Sequence, residues 1–199
     1  MTQPDWNARY SDPEYAYGVE PNSFLVENVS FLSDPVLSIA EGEGRNAVFL
    51  ASRGLKVHAV DGSEVGLAKA EKLAANNNIS ISTQVANLGH YEPDEEAYSA
   101  IVSIFAHLTG AIRTRLSPLL TQSLRPNGVL ILEAYSENQI RHGTGGPRDL
   151  DMLMTCAKIE HEFPTLEPIL LQEVTRDVVE GKFHTGLASV VQFIGRKRV

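Results

Sequence analysis

The sequence has a single cysteine, a single tryptophan and no apolar run approaching the length of a membrane span. A lone Cys156 excludes an internal disulfide and any cysteine-rich metal site, and reads as packing on a helix face. A bilayer crossing needs about 20 apolar residues in succession. Positive charge is short as well: 17 Lys and Arg stand against 25 Asp and Glu, a formal net charge of −8. That balance argues against a nucleic-acid backbone or an anionic membrane as the main partner. Met1-Thr-Gln-Pro-Asp5 has no feature of a signal peptide, so a cytoplasmic protein is expected. A length of 199 residues, 43% hydrophobic and 21% charged, suits one globular domain with a full core. No repeat, low-complexity tract or linker divides it.

What the chain does have is a strand, a glycine turn and a helix in succession between Pro35 and Gly54. Val36, Leu37, Ile39 and Ala40 are a run short enough for a buried strand. Gly42 and Gly44 permit a tight turn that brings backbone N–H groups close to a ligand. Ala47, Val48, Leu50 and Ala51 recur at helical spacing, and Gly54 supplies the stop. A second strand, Val57-His-Ala-Val60, ends in Asp61, where such folds place an acid for a ribose diol.

Around this unit the pattern predicts an α/β fold. Trp6, Tyr10, Tyr15 and Tyr17 form a leading aromatic arm, which either pins the terminus to the core or covers a ligand. A helix follows from near Asn22, closed before Pro35. Ser63 can cap a helix running to Asn76-Asn77-Asn78. Further strands are expected at Ile79 to Ala86, Tyr98 to Phe105 and Val129 to Ala134, the last after a turn at Arg125-Pro-Asn-Gly128. The helix before that turn contains Pro118, which implies a kink or a fresh start capped by Ser117. Gln139 to Asp151 reads as a glycine-rich loop and Asp151 to Glu162 as a helix. Pro168 to Glu180 and Leu187 to Arg196 are too close for a helical crossover, so they must form an antiparallel hairpin. The expectation is a doubly wound, Rossmann-like sheet, mostly parallel, with a C-terminal antiparallel hairpin. Residues 1–35 are the arm and first helix, 36–134 a nucleoside-binding core, and 135–199 the loop, helix and hairpin.

Gly42-x-Gly44-x-x-Ala47 with Asp61 also fits the dinucleotide fingerprint, which leaves an NAD(P)-binding protein as an alternative. The aromatic arm, the absence of a substrate domain and the closing hairpin favour a different nucleoside ligand. The pieces Leu37-Ser-Ile-Ala-Glu-Gly-Glu-Gly-Arg-Asn46, Ala59-Val-Asp-Gly-Ser63, Ala86-Asn-Leu88, Ile101-Val-Ser-Ile-Phe-Ala-His107 and Leu124-Arg-Pro-Asn-Gly-Val-Leu-Ile-Leu-Glu133 carry a more specific likeness. In that order they resemble the class I S-adenosylmethionine-dependent methyltransferases, in particular the TehB-like and thiopurine methyltransferase-like small-molecule branch. Trp6-Asn-Ala-Arg-Tyr10 and Tyr17-Gly-Val-Glu-Pro21 resemble the arm of the same branch, whose sheet has seven strands with the last inserted antiparallel.

The resemblance implies S-adenosyl-L-methionine as cofactor and methyl transfer to a thiol, a metalloid oxyanion or another small metabolite. It implies that Ala40, Glu41, Gly42 and Gly44 pass under the methionine half; Arg45 and Asn46 at the helix start either orient its carboxylate or make a purely structural contact. It puts Asp61 on the ribose diol, Gly62 and Ser63 along the adenine edge, and Asn87 with Leu88 against adenine. Phe105, Ala106 and His107 would flank the sulfonium, with Trp6, Tyr10 or Tyr17 offering it a ring face. The chain departs from the family in Ser38, where an acid is usual, in Ala40, where glycine is usual, and in Glu41, at a position more often small. A protein that kept the fold but lost turnover is the non-enzymatic alternative.

His107 is the candidate general base, or else a histidine that caps a strand end without titrating. Arg141, His142 and Arg148 lie in the glycine-rich loop, placed either to receive an anionic substrate or to face water. There is no Asn/Asp-Pro-Pro-aromatic motif after the fourth strand and no Pro-Cys nucleophile. The expected partner is therefore a small molecule, with no nucleic acid, membrane or metal, on a monomer or homodimer.

Overall fold

The computed structural model describes residues 5–198; the part of the leader reading that rests on residues 1–4 lies outside them. Two short helices come first, α1 (Trp6–Tyr10) and α2 (Ser23–Asn28), the second prolonged by a 3-10 turn over Val29–Phe31. Strands and helices then alternate: β1 (Val36–Ile39), α3 (Arg45–Ser52), β2 (Val57–Asp61), α4 (Glu64–Asn76), β3 (Ser82–Val85), β4 (Tyr98–Ile104), α5 (Gly110–Ser123) and β5 (Leu124–Tyr135). After α6 (Cys156–Glu162), the strands β6 (Leu166–Glu180) and β7 (His184–Lys197) pair as a long hairpin. The sheet order is β3-β2-β1-β4-β5-β7-β6, and β7 runs against both of its neighbours. This is the doubly wound, mostly parallel sheet expected.

Alternation along the strands sends successive side chains to opposite faces. Val36, Ala59, Val102 and Ile131 pack under α2, α3 and α4 with Leu25, Leu50 and Leu67. Leu37, Ile101, Leu130 and Phe193 pack under α5 and α6 with Leu116, Leu120 and Ile159. Covering both faces explains why β1 and the centre of β4 are wholly apolar or buried. Each such leucine or isoleucine contributes roughly 1.5–3 kcal/mol by leaving water.

Three local expectations change. α5 passes through Pro118 as one helix, because Leu116 and Leu120 on either side are buried in the same core. Asp151 to Glu162 is not one helix: a 3-10 turn covers Leu150–Met152, Met154 bridges to Ser136, and Thr155 starts α6 by accepting the Lys158 N–H at 3.1 Å. Arg125 to Gly128 remains within β5 as an irregularity, with Asn127 at φ +65° and a register shift between Tyr98 and Ala100 on β4.

Candidate functional site

The winding direction reverses between β1 and β4, which opens a crevice at their C-terminal ends. A cavity of about 330 Å³ occupies it, within the roughly 300–1,000 Å³ usual for small-molecule sites. One wall is the turn after β1, where Ala40 (φ +50°), Gly42 (φ +63°) and Gly44 (φ +91°) all adopt left-handed backbone. Glycine is needed at 42 because a Cβ there would stand 2.7 Å from the Tyr10 hydroxyl. Gly44 does not line the cavity; a side chain there would collide with Ala70, so its role is the close approach of α3 and α4. Glu41 lines the cavity, yet its carboxylate turns away to accept the Asn46 and Ala47 N–H groups at 3.1 and 2.9 Å. Burial pushes its pKa up, and Ser38 and Ala47 pull against that shift.

Asp61 closes β2 at the opposite side of the turn. Its Oδ2 accepts the Gly42 N–H at 2.9 Å and its Oδ1 the Ser63 N–H at 2.8 Å. A carboxylate offers about four lone-pair sites, so each oxygen keeps one for a ligand. Burial raises the Asp61 pKa and the backbone donors hold it down. Ser63 does not line the cavity: its oxygen caps α4 through the Gly66 N–H at 3.0 Å, and its hydroxyl donates to Asn7 at 2.6 Å. Asn7, Gly62, Asn87 and Leu88 complete this end.

The aromatic arm is the roof. Trp6 stacks on Tyr10 at 5.7 Å, and Tyr10 meets Tyr17 edge-on at 6.4 Å; all three line the cavity. Lys69 of α4 fixes the arm by donating to the carbonyls of Asp12 and Glu14 at 2.8 and 2.7 Å while pairing with Glu43. Glu43 in turn accepts the Ala16 N–H at 2.7 Å. At its other end the arm rests on the β6–β7 turn, with the Lys182 N–H on the Ala16 carbonyl at 3.1 Å and Arg9 over the Phe183 ring at 4.3 Å.

The inner end is built from rings. Phe105 leaves β4 at φ +51° and packs on Tyr135 at 4.6 Å. His107 stacks on Tyr135 at 5.5 Å, and His184 meets Tyr17 at 4.4 Å and Tyr135 at 5.2 Å. Both nitrogens of His107, Nδ1 of His184 and the Tyr135 hydroxyl are buried without a hydrogen-bond partner among the described residues. Groups left so cost about 1–3 kcal/mol each. Burial, with His184 nearby, holds the His107 pKa down at about 3.

Behind this cluster runs a buried ion network absent from the sequence reading. Asn22 donates to Glu133 at 2.6 Å and to Glu180 at 2.7 Å; Arg176 pairs with Glu133, and Arg45 with Glu180, each at 2.6 Å. Arg45 is therefore committed to a protein carboxylate, while the Asn46 side chain accepts the Asn22 N–H at 3.0 Å at the edge of the cavity. Burial raises the Glu180 pKa, but His184, Arg45 and Asn22 more than reverse this and hold it at about 2.

The structure brings Ala40, Glu41, Gly42, Asn46, Asp61, Gly62, Asn87, Leu88, Phe105, His107, Trp6, Tyr10 and Tyr17 into one cavity. Ala106 faces a separate small apolar void beside Leu116 and Phe163. Arg141 and His142 line a different shallow depression with Glu173, and Arg148 is exposed. The glycine-rich loop that carries them is pinned by Gln139, which donates to Thr144 and to the Gly145 carbonyl, both at 3.1 Å. His184, Tyr135 and Glu180 were missed; the one local signal was Glu180-x-x-x-His184 flanking a glycine turn.

Residues 36–128 match the methyltransferase domain family. The chain is 30% identical over 101 residues to an uncharacterized methyltransferase, YodH, of Bacillus subtilis (strain 168), a match covering 49% of this chain and 41% of that protein. It therefore spans about two fifths of the length of that curated relative. Among solved structures, one reported for the conversion of a disulfide bond into a thioacetal group during echinomycin biosynthesis superposes with a TM-score of 0.79 at 16% identity, over 97% of this chain and 90% of that one. TehB from Haemophilus influenzae gives a TM-score of 0.65 at 14% identity, over 97% and 66%. Likeness at these identities establishes the fold, and over residues 36–128 the chain is similar to the methyltransferase domain family.

Proposed function

We propose that the chain transfers a methyl group to a small-molecule nucleophile by in-line displacement. One observation carries this reading: a single cavity joins the Gly42 and Asp61 end to an imidazole-lined end at His107 and His184. When bound, S-adenosylmethionine supplies an electrophilic methyl group on a sulfonium. The residues present fit it. Asp61 keeps a free lone-pair site on each oxygen for a ribose diol, and a Cβ at Gly62 would find only the Ala86 carbonyl, at 3.8 Å, so that edge is open. Asn87 and Leu88 would take the adenine, and the backbone of Ala40 to Gly42 the methionine half.

The protein's own contribution is alignment and exclusion of water. Orientation of two bound reactants lowers a barrier by up to ~7–11 kcal/mol. The ring faces of Tyr10 and Tyr17 would add roughly 0.5–2 kcal/mol toward a cation. A small acceptor is favoured because the arm, held by Lys69 and the β6–β7 turn, roofs the cavity. The arm and the hairpin both build the site, which supports treating residues 5–198 as one domain. Calorimetric titration with S-adenosylmethionine, S-adenosylhomocysteine and NAD(H) tests the reading. Binding of the first two and not the third is expected; binding of NAD(H) alone would overturn it.

A further inference from the structure

Ser63 is bonded on two sides at the nucleoside end of the cavity. Its N–H is accepted by Asp61 Oδ1 at 2.8 Å, and its hydroxyl donates to Oδ1 of Asn7 at 2.6 Å. One residue thus links a side-chain amide of α1 to the carboxylate that ends β2, and Asn7 and Asp61 both line the cavity. We infer that Asn7 and Asp61 hold one ribose hydroxyl between them, the amide nitrogen of Asn7 donating to the oxygen whose proton Asp61 accepts. The inference rests on the methyl-transfer reading above and adds to it a cofactor-binding residue from the arm.

Hydrogen-bond accounting fixes which end of the amide is available. Ser63 Oγ already accepts the Gly66 N–H at 3.0 Å as the cap of α4. Its single proton goes to the Asn7 carbonyl oxygen; with the amide turned round, that proton would meet another donor. The end left over is the NH2 group, which can only donate, and among the described residues it donates to no protein atom. Asp61 is the opposite case. Its ionised carboxylate can only accept, and each oxygen so far has one backbone donor. A hydroxyl both donates and accepts, so it satisfies a donor and an acceptor at once. An ether oxygen or a ring nitrogen would satisfy Asn7 but set a lone pair against Asp61.

The position of Asn7 is itself fixed. Asp5 caps the first turn of α1 by accepting the Ala8 N–H at 3.1 Å, and Trp6 stacks on Tyr10. A Cβ at Gly66 would stand 2.9 Å from the Tyr10 ring, so α1 lies directly on the start of α4. Asn7 itself is exposed, which leaves its amide open to a ligand. Because Asn7 belongs to the arm and Asp61 to the sheet, a ribose held by both also ties the arm down over the cavity. Ligand binding and arm seating then favour one another by the same factor.

The test uses the full chain and three probes: S-adenosylhomocysteine and its 2′-deoxy and 3′-deoxy counterparts. Each is titrated calorimetrically into the wild type and Asn7→Ala. Each deoxy probe loses a bond to Asp61, and one of them also loses the bond from Asn7. Asn7→Ala is therefore expected to weaken S-adenosylhomocysteine about fivefold more than it weakens that one deoxy probe. An equal factor for all three probes would mean that Asn7 only holds the arm, and would overturn the inference. In wild-type protein the side-chain NH2 resonances of Asn7 should shift on saturation with S-adenosylhomocysteine, and less with the same deoxy probe. This readout needs no variant, and resonances unmoved by S-adenosylhomocysteine would equally sink the inference. Either failure in protein that binds S-adenosylhomocysteine leaves the methyl-transfer reading standing. Failure to bind S-adenosylhomocysteine removes both.

Discussion

The hydroxyl of Ser38 donates to the carboxylate of Glu41, whose other oxygen accepts two N–H groups of the first turn of α3. In the family that the sequence resembles an acid is usual at the position of Ser38 and a small residue at that of Glu41; here the acid stands three residues further along the chain. Glu41→Ala would leave the Asn46 and Ala47 N–H groups buried without an acceptor. Hydrogen bonds to charged groups contribute ~1.5–3 kcal/mol, so a loss of about 2–4 kcal/mol in urea unfolding is expected. Ser38→Asp alone should also destabilise, because it sets a second carboxylate against Glu41. Ser38→Asp combined with Glu41→Gly should recover part of both losses, a coupling on the order of 0.5–3 kcal/mol. Simple additivity of the two single losses would show that the positions do not share one task.

Asp61 holds the two halves of the nucleoside end together through Gly42 and Ser63. Asp61→Asn keeps one acceptor and similar volume, but loses the charge that would face a ribose diol. S-adenosylhomocysteine should bind roughly 10- to 100-fold more weakly by calorimetry, in line with one or two charge-assisted hydrogen bonds. Unchanged affinity would remove Asp61 from the site.

Lys69 is where the arm is held down. Its ammonium reaches the carbonyls of Asp12 and Glu14 as well as Glu43, and lies 4.7 Å from the Tyr15 ring centroid. Lys69→Met keeps the stem and loses all three polar contacts. Amide hydrogen exchange at residues 8–18 should speed up while the strands stay protected, and cofactor affinity should fall several-fold. Equal exchange in both proteins would mean that the β6–β7 turn alone seats the arm.

The parts of this site legible in the sequence are those encoded by neighbours. The strand, glycine turn and helix around Gly42, the cap at Ser63 and Asp61 at the end of β2 all follow from local spacing. What was hidden depends on register between distant strands. Glu133 and Glu180 are joined through Asn22, at sequence separations of 111 and 158. His184 looked like part of a linker, yet it begins β7 and pairs directly with Glu180 across a tight turn. The loop around Gly145 looked free because it is rich in glycine. Its glycines serve close packing instead, since a Cβ at Gly145 would stand 2.5 Å from the Phe183 carbonyl.

The neutral burial of His107 has a consequence for stability. Its folded pKa, about 3, lies below the ordinary 6.5, so below pH 6.5 the unfolded chain takes up a proton that the native protein refuses. The stability is present in full above pH 6.5 and is lost as the pH falls toward about 3. Glu180, held at about 2 against an ordinary 4.5, acts in the same direction in a lower window, between about pH 4.5 and 2. Acid destabilisation should therefore come in two stages. His107→Phe should remove its share of the first: between pH 7.5 and 5.5 one such histidine costs about 1.4 kcal/mol, and the variant should be spared that amount in urea unfolding. The phenyl ring keeps the stack on Tyr135 and relieves two unpartnered nitrogens, so the variant should also be more stable at pH 7.5, by about 1–3 kcal/mol. A variant less stable than the wild type at both pH values would mean that His107 is held by partners of its own and is a structural residue.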